Sequence, residues 1–551
     1  MEHPHDNVHT GARHETSYRV NQDLLKKAED VANFDKGMGF RETLRIYRKA
    51  AVWSVVLSTA LIMEGYDVVI INSFFGQSSF LHRFGQVNAQ GQYFIPANWQ
   101  SALNNAASIG QVIGLLINGY CQDRFGSKKT YLCAMVFMAG AIFLLVFANS
   151  LEMLFAGELV CGIPWGIFQT LTTAYAAEIC PVALRGYLTS YVNACWGIGL
   201  TIGAAVVRGS LVIEGDWGMC ILFCVALVST AARLTDRMAY AVRYTMGVAN
   251  PTLRGHLVRP GKKDRTDQAK KSLRKLARSD YMDEQTIDAH IALIAHTIEL
   301  ERAETEGGGW KDLFRGTNRR RTEIACVVWS AQYWCGQPIS NFATEFLQTA
   351  GMGQEGAFDL NVANFVMIFF GTVVAWLFFY RLGRRFMYLM GAISMAALFL
   401  VIGILGCLPR STNTSMGIGV VMIMITFAFG ISVAPACYSI VAEIPATRAA
   451  LQQLFPRFLT AKPDGWDLGG KCGFIFVGTN IILALYCFFR LPETIGRTFG
   501  EIDTMFHNKI AARRFKSTIV DEFEADRNKV VNEPSGLDEK DREIQHAELE
   551  P

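Results

Sequence analysis

The sequence predicts an all-α, polytopic membrane protein built as two matching helical halves. Three observations predict it: long apolar runs, a central polar stretch dividing them into two groups, and short charged motifs that recur in both groups. Of 551 residues, 51% are apolar, 12% aromatic and only 18% charged, an excess over ordinary globular usage. It is gathered into runs such as AVWSVVLSTALIM from Ala51 and MVFMAGAIFLLVFA from Met135, whereas residues 1–49, 254–322 and 507–551 are strongly polar.

A helix needs about 20 residues to cross a hydrocarbon core about 30 Å thick. Ten stretches qualify, near 51–72, 99–121, 130–148, 153–177, 188–207, 323–347, 358–380, 386–408, 416–440 and 473–490. An eleventh candidate, near 217–232, is short and runs at once into Arg233, Asp236 and Arg237. The expected organisation is a cytoplasmic N-terminal tail (1–49), an N-terminal helical half (50–245), a cytoplasmic central loop (246–322), a C-terminal half (323–490) and a cytoplasmic C-terminal tail (491–551).

Lys and Arg are retained on the cytoplasmic side, which sets the orientation. SKK at 127–129, Arg185, the block from Lys262 to Arg278, RRR at 319–321 and RLGRR at 381–385 share one side; the segments 86–99 and 351–361 carry no Lys or Arg. A glycosylation sequon, Asn413-Thr414-Ser415, falls on the outer side under this scheme. GYCQDRFGSKK from Gly119 is echoed by YRLGRR from Tyr380, and EICPVALRG from Glu178 by EIPATR from Glu443. Matching punctuation implies internal duplication, as in transporters.

Composition also excludes classes. A net charge of +3 is too small for nucleic-acid binding, since the basic residues flank apolar segments. The thirteen cysteines show no CxxC pair and no His at zinc spacing, so no metal site or cofactor is expected. His3, His5, His9 and His14 belong to a flexible tail, and no secretory signal precedes the first span. No nucleophile with base, metal cluster or phosphate loop stands in a usable frame, so the chain is not read as an enzyme.

Ionisable side chains at membrane depth are costly unless paired or wetted, which makes them functional candidates. Glu64 and Asp67 stand three apart on one helical face of the first span, Glu158 lies in the fourth and Arg208 near the end of the fifth. These carboxyls can take up a proton outside and release it inside; alternatively Asp67 caps a helix break at Gly65 while Glu158 pairs permanently with Arg208. Neutral hydroxylated ligands are held by amides and aromatic faces. Gln332, Gln337, Asn193 and Asn364 can supply the first, and Trp196, Phe342 and Tyr438 the second, although aromatics also fill helix interfaces.

These motifs resemble the sugar-porter branch of the major facilitator superfamily over about residues 45–230 and 257–506. GxxxDRxGxKK is matched at Gly119, Asp123, Arg124, Gly126, Lys128 and Lys129; ExxPxxxRG at Glu178, Pro181, Arg185 and Gly186; and PETxGRTxxEID from Pro492 to Asp503. The resemblance implies that these charged residues, with Arg384, Arg385, Glu443, Arg448, Glu493 and Arg497, bridge the cytoplasmic helix ends and bias the inward gate. EGYD at Glu64–Asp67 and GELVCGIPWGIFQTLTTAYAAEICPVALRGY from Gly157 look like the fungal maltose and general α-glucoside permeases. That resemblance implies twelve helices in two pseudo-symmetric six-helix halves. It also implies proton symport through Glu64, Asp67 and Glu158, sugar binding at Gln332, and a monomer in the plasma membrane.

The sequence departs from that pattern at Leu200, where sugar porters carry glutamine, and at Tyr380, where many carry an acid. Residues 231–256 interrupt the sixth helix with charges and lack PESPxWL, and 449–471 offer no eleventh helix. The implied function is proton-coupled uptake of maltose or another α-glucoside by alternating access. A hexose transporter, a sugar sensor, and a non-transporting remnant or faulty gene reading remain as alternatives.

Overall fold

The computed structural model describes residues 29, 31, 33–34, 37–87, 91, 93–179, 181–211, 270, 284–291, 316–341, 343–349, 351–379, 381–409, 411–443, 469–518 and 520. The expectations for 231–256 and 449–468, and for Phe342, Tyr380 and Arg448, lie outside them.

The first half begins with a short helix α1 (Phe40–Ile46), then α2 (Arg48–Ser58) and α3 (Leu61–Phe74), which together make one span interrupted at Thr59–Ala60. The break therefore falls before Gly65 and not at it. After α4 (Ser78–Phe84), a two-stranded antiparallel hairpin, β1 (Gln86–Val87) and β2 (Tyr93–Phe94), caps the end away from the basic loops. Helices α5 (Ala97–Phe125), α6 (Ser127–Val146), α7 (Leu151–Ile179) and α8 (Val182–Ser210) follow.

The second half opens with α9 (Gly316–Trp334), α10 (Gln337–Asn341) and α11 (Ala343–Thr349), then α12 (Gln354–Phe378), α13 (Arg384–Leu405), α14 (Thr412–Ile431) and α15 (Val433–Glu443). It ends in α16 (Gly473–Arg490) and α17 (Phe499–His507). Thr498 and Glu501 start α17 with a reciprocal capping box, which satisfies two backbone N–H groups that the first helical turn leaves over.

Among the described residues, eight helices are long and apolar enough to cross a membrane. Two of the ten expected spans differ. The stretch 99–121 is a helix, but Asn104, Asn105, Gln111 and Asn118 lower its apolarity. The stretch 323–347 is not one helix: α9 ends before Gly336, whose φ of +102° suits glycine, and the chain continues as α10 and α11, with residue 342 between them outside the described residues.

The duplicated punctuation has a duplicated backbone. The α5–α6 turn passes through Gly126 at φ 80° and ψ 152°, and the α12–α13 turn through Gly383 at 77° and 150°. Both are left-handed positions that an L side chain resists. Val136, Phe137, Leu377, Ile404 and Leu485 are exposed on the outer surface of the bundle, as side chains facing acyl chains are. The sequon is built into the first turn of α14, where the buried Ser415 hydroxyl donates to the Ser411 carbonyl at 3.0 Å.

Candidate functional site

Glycine seams position the acidic helices. Gly110 and Gly114 on α5 face Gly162 and Gly166 on α7, so a Cβ on Gly110 would lie 2.8 Å from the Gly162 Cα. Such small-residue stripes let membrane helices approach backbone to backbone. A second seam joins α3 to α8: a Cβ on Gly199 would lie 2.9 Å from the Tyr66 nitrogen, and one on Gly203 2.9 Å from the Tyr66 carbonyl oxygen. With Gly65 also against the α8 backbone, Glu64 and Asp67 are left on the faces of α3 that turn to α5 and α7.

Glu64, Asp67 and Glu158 are accordingly buried together, with exposures of 3%, 3% and 1%. Gln111 Nε2 donates to Glu64 Oε1 at 2.8 Å, and Asp67 and Glu158 line the same cavity.

The three acids line one wall of a cavity between the halves. The second half supplies Trp329, Gln332, Tyr333, Gln337, Phe429 and Tyr438 as the opposite wall. Trp329 and Tyr438 meet edge to face, with ring centroids 5.5 Å apart. Gln332 Nε2 donates to the Cys437 sulfur at 3.2 Å, and Gln169 Nε2 reaches across the halves to the Tyr438 hydroxyl at 3.4 Å. Paired amides beside aromatic faces can hold a neutral polyol.

Of the predicted binding residues, Gln332, Gln337, Trp196 and Tyr438 line this cavity. Asn193 and Asn364 serve elsewhere. Asn193 Nδ2 donates to Thr372 Oγ1 at 2.9 Å between α8 and α12, while Asn364 Oδ1 accepts from Thr426 at 2.5 Å between α12 and α14. Arg208 is not beside Glu158. It lies in the last turn of α8, where Nε meets Asp359 Oδ1 at 2.6 Å and Nη2 lies 3.6 Å from Glu355. The alternative of a permanent Glu158–Arg208 pair is thus replaced by a link from α8 to α12 at the end away from the basic loops. Leu200 is fully buried among Val69, Phe365 and Ile368.

Sequence reasoning missed Asn72, Asn104, Ser108, Gln111 and Gln169, all of which line the cavity. A signal existed on α5, because positions 104, 107, 108 and 111 form one helical stripe.

Polar contacts between the halves bracket the cavity. On the basic side the Thr189 and Ser439 hydroxyls are 3.0 Å apart, and Trp376 Nε1 donates to Ser190 at 2.8 Å. At the other end Gln100 Nε2 donates to Glu345 Oε1 at 3.2 Å, and Gln348 Nε2 to the Gly76 carbonyl at 3.3 Å.

The motif residues gather on the basic face. Glu493 accepts the backbone N–H groups of Arg384 at 2.9 Å and Arg385 at 3.2 Å, and Arg384 Nη1 donates to Thr494 at 3.0 Å. Gly383 makes room for this, since a Cβ there would lie 2.9 Å from the Glu493 Cδ. Arg497 donates to the carbonyls of Phe515 and Thr518 at 3.2 and 2.7 Å. Arg185 is buried in the first turn of α8 and Arg124 is exposed at the end of α5. Asp123, Glu178 and Glu443 lie near the basic ends of α5, α7 and α15, with side chains outside the described part.

On the same face the helical segment 284–291 docks on the first half. Ile287 and Ile291 are buried against Ile46, Tyr47, Ala176, Leu184 and Leu188. The Tyr47 hydroxyl lies 3.5 Å from His290 Nε2, and burial pushes that imidazole from 6.5 down to about 4.

The pattern of a family described as "Sugar (and other) transporter" matches residues 53–246 and 260–506. The match continues past residue 230, leaves 247–259 unmatched and runs across 449–471. The chain is 32% identical over 527 residues to maltose permease MAL31 of Saccharomyces cerevisiae, covering 91% of this chain and 83% of that protein. It shows the same identity to the α-glucosides permease MPH3 of S. cerevisiae, covering 91% and 84%. Its fold is similar to that of the major facilitator proton:xylose symporter XylE bound to 6-bromo-6-deoxy-D-glucose, with a TM-score of 0.64 at 18% identity over 83% of this chain and 99% of that one.

Proposed function

The chain belongs to the sugar transporter family of the major facilitator superfamily, and on that premise we propose that it takes up maltose or another α-glucoside together with a proton. The observation that carries this reading is the cavity itself, which has three buried carboxyls on the wall from one half and amides with aromatic faces on the wall from the other. The Lys- and Arg-rich face is cytoplasmic, and the protein works as a monomer in the plasma membrane.

The proton is taken up by the buried carboxyls of Asp67 and Glu158, since a charge at membrane depth is costly. Gln111 holds Glu64 beside them. Sugar hydroxyls are met by Gln332 and Gln337, while Trp329 and Tyr438 stack on a pyranose ring. Alternating access consists of the two halves rocking about this midplane site as the bracketing contacts at either end break in turn. The relatives named as maltose and α-glucosides permeases support the substrate class.

The test is uptake of labelled maltose by cells displaying the protein, with external pH recorded. Sugar addition should alkalinise the medium, Gln332→Ala should raise KM, and Glu158→Gln should abolish the pH change. Uptake no faster than in control cells, with the protein in the plasma membrane, sinks the proposal.

A further inference from the structure

Beyond α17 the chain forms a short turn pinned to the basic end of the second half. Ala512 and Phe515 are buried, and Phe515 meets Phe506 edge-on with ring centroids 5.2 Å apart. Arg320 lies over both rings, at 5.4 and 5.8 Å, and donates to the Ile510 carbonyl at 2.8 Å.

A turn held this firmly presents its remaining side chains in fixed places. Lys509, Arg513, Arg514 and Lys516 are all exposed. Among the described residues the nearby acids are engaged: Glu501 pairs with Arg497, Asp503 with Arg321, and Glu323 with Arg490. Among the described residues, none of the four exposed cations has a carboxylate partner.

The position of Arg513 indicates what such a cluster meets. Its guanidinium lies 4.3 Å from the Phe488 ring centre and 4.9 Å from that of Phe489. Those rings are 44% and 59% exposed on the last turn of α16. The flank of α16 is apolar and outward-facing, with Ile481, Ile482 and Leu485 exposed along it. A cation resting on aromatic rings at the end of a lipid-facing helix stands at headgroup depth, with acyl chains beside the rings.

We propose that Arg513, Arg514 and Lys516, with Lys509 beside them, bind the phosphate of an anionic phospholipid headgroup, its acyl chains lying along Phe488, Phe489 and the flank of α16. Phosphate oxygens match the guanidinium fork, and clustered cations just beyond a membrane helix attract anionic lipid. The inference uses the orientation that puts the basic face at the cytoplasmic leaflet. It does not depend on which sugar is carried.

The experiment uses the purified full chain, without sugar or a pH gradient, so its failure is distinct from failure of the transport reading. Native mass spectrometry measures lipid retained from equimolar phosphatidylserine and phosphatidylcholine. The wild type should retain phosphatidylserine preferentially, and less so as salt rises. Arg513→Gln/Arg514→Gln/Lys516→Gln should weaken the preference by about fivefold per charge, on the order of 100-fold together. Arg513→Lys/Arg514→Lys should keep most of it, which separates lost charge from a disturbed fold. No preference in the wild type, a preference unmoved by salt, or full preference in the glutamine variant overturns the proposal. So does displacement of the lipid by millimolar inorganic phosphate, which would make the site one for the free ion.

Discussion

Replacing Gly110 with alanine tests whether close backbone contact between α5 and α7 holds the acid cluster in place. The added Cβ would point at the Leu159 carbonyl and lie 2.8 Å from the Gly162 Cα. Carbon atoms rest at about 3.5–4.0 Å, so the two helices must part by about 1 Å. Overpacking of this kind costs about 1–3 kcal/mol. Alanine also favours a helix over glycine, by about 1 kcal/mol, and that gain must be removed from the comparison. Gly140→Ala on α6 does so, because nothing lies within 4 Å of a Cβ there. The difference between the two variants should therefore be the overpacking cost itself. Displacing α5 also moves Gln111 away from Glu64, which it meets at 2.8 Å. A misplacement of about 1 Å in a reacting site can cost on the order of 100-fold in rate. Thermal unfolding followed by size exclusion, with uptake measured in parallel, should show Gly110→Ala less stable than Gly140→Ala and far slower than wild type. Equal stability of the two variants, or full uptake by Gly110→Ala, would refute the seam argument.

Three further outcomes are expected. Arg208→Gln should leave proton-coupled uptake pH-dependent, whereas Glu158→Gln should not, as measured by labelled-sugar uptake across external pH; the solvent-exposed Arg208–Asp359 pair should contribute little to stability. Gly336→Ala should destabilise by roughly 1–3 kcal/mol, because its φ is +102° and the new Cβ would run into the Phe399 ring; a melting temperature equal to wild type contradicts this. Docking of 284–291 should weaken as pH falls from 6.5 towards 4. Burial keeps the docked His290 neutral to about 4, so the undocked segment binds more protons in that window and docking is complete only above it. Hydrogen exchange corrected for intrinsic rate should show this at pH 5 against pH 7 and lose the difference in His290→Leu.

The acid cluster was legible because ionisable side chains inside apolar runs are few and costly. Glu64 and Asp67 needed only their spacing of three to be put on one face. The amides were less legible, since a polar amide is tolerated on any face that finds a partner. Asn193 and Asn364 were selected by residue type and depth, and their helix phase turns them towards Thr372 and Thr426 instead. Arg208 and Glu158 fit as charges of opposite sign, but pairing depends on which ends of α7 and α8 come together, and span membership does not specify that. The break in 323–347 did leave a trace, as Gly336 and Pro338 stand two apart in CGQP. The glycine seam left another, GQVIG at 110–114 against GIPWG at 162–166.

The two walls of the cavity are built for different tasks. The wall bearing the acids is fixed, because glycine seams lock α3 to α8 and α5 to α7 at backbone contact, and such contacts have no softer arrangement to relax into. The facing wall carries Gln337 on α10, directly after the break at Gly336, and the next turns of chain carry Glu345 and Gln348 to Gln100 and Gly76. A ligand pulling on Gln337 therefore acts on a stretch of chain that bends at Gly336 and leads to the hydrogen bonds of Glu345 and Gln348 with the first half. On the proposed reading, a proton bound by the wall of fixed helices sets the charge of the site, and the sugar bound by the wall that bends at Gly336 sets its shape.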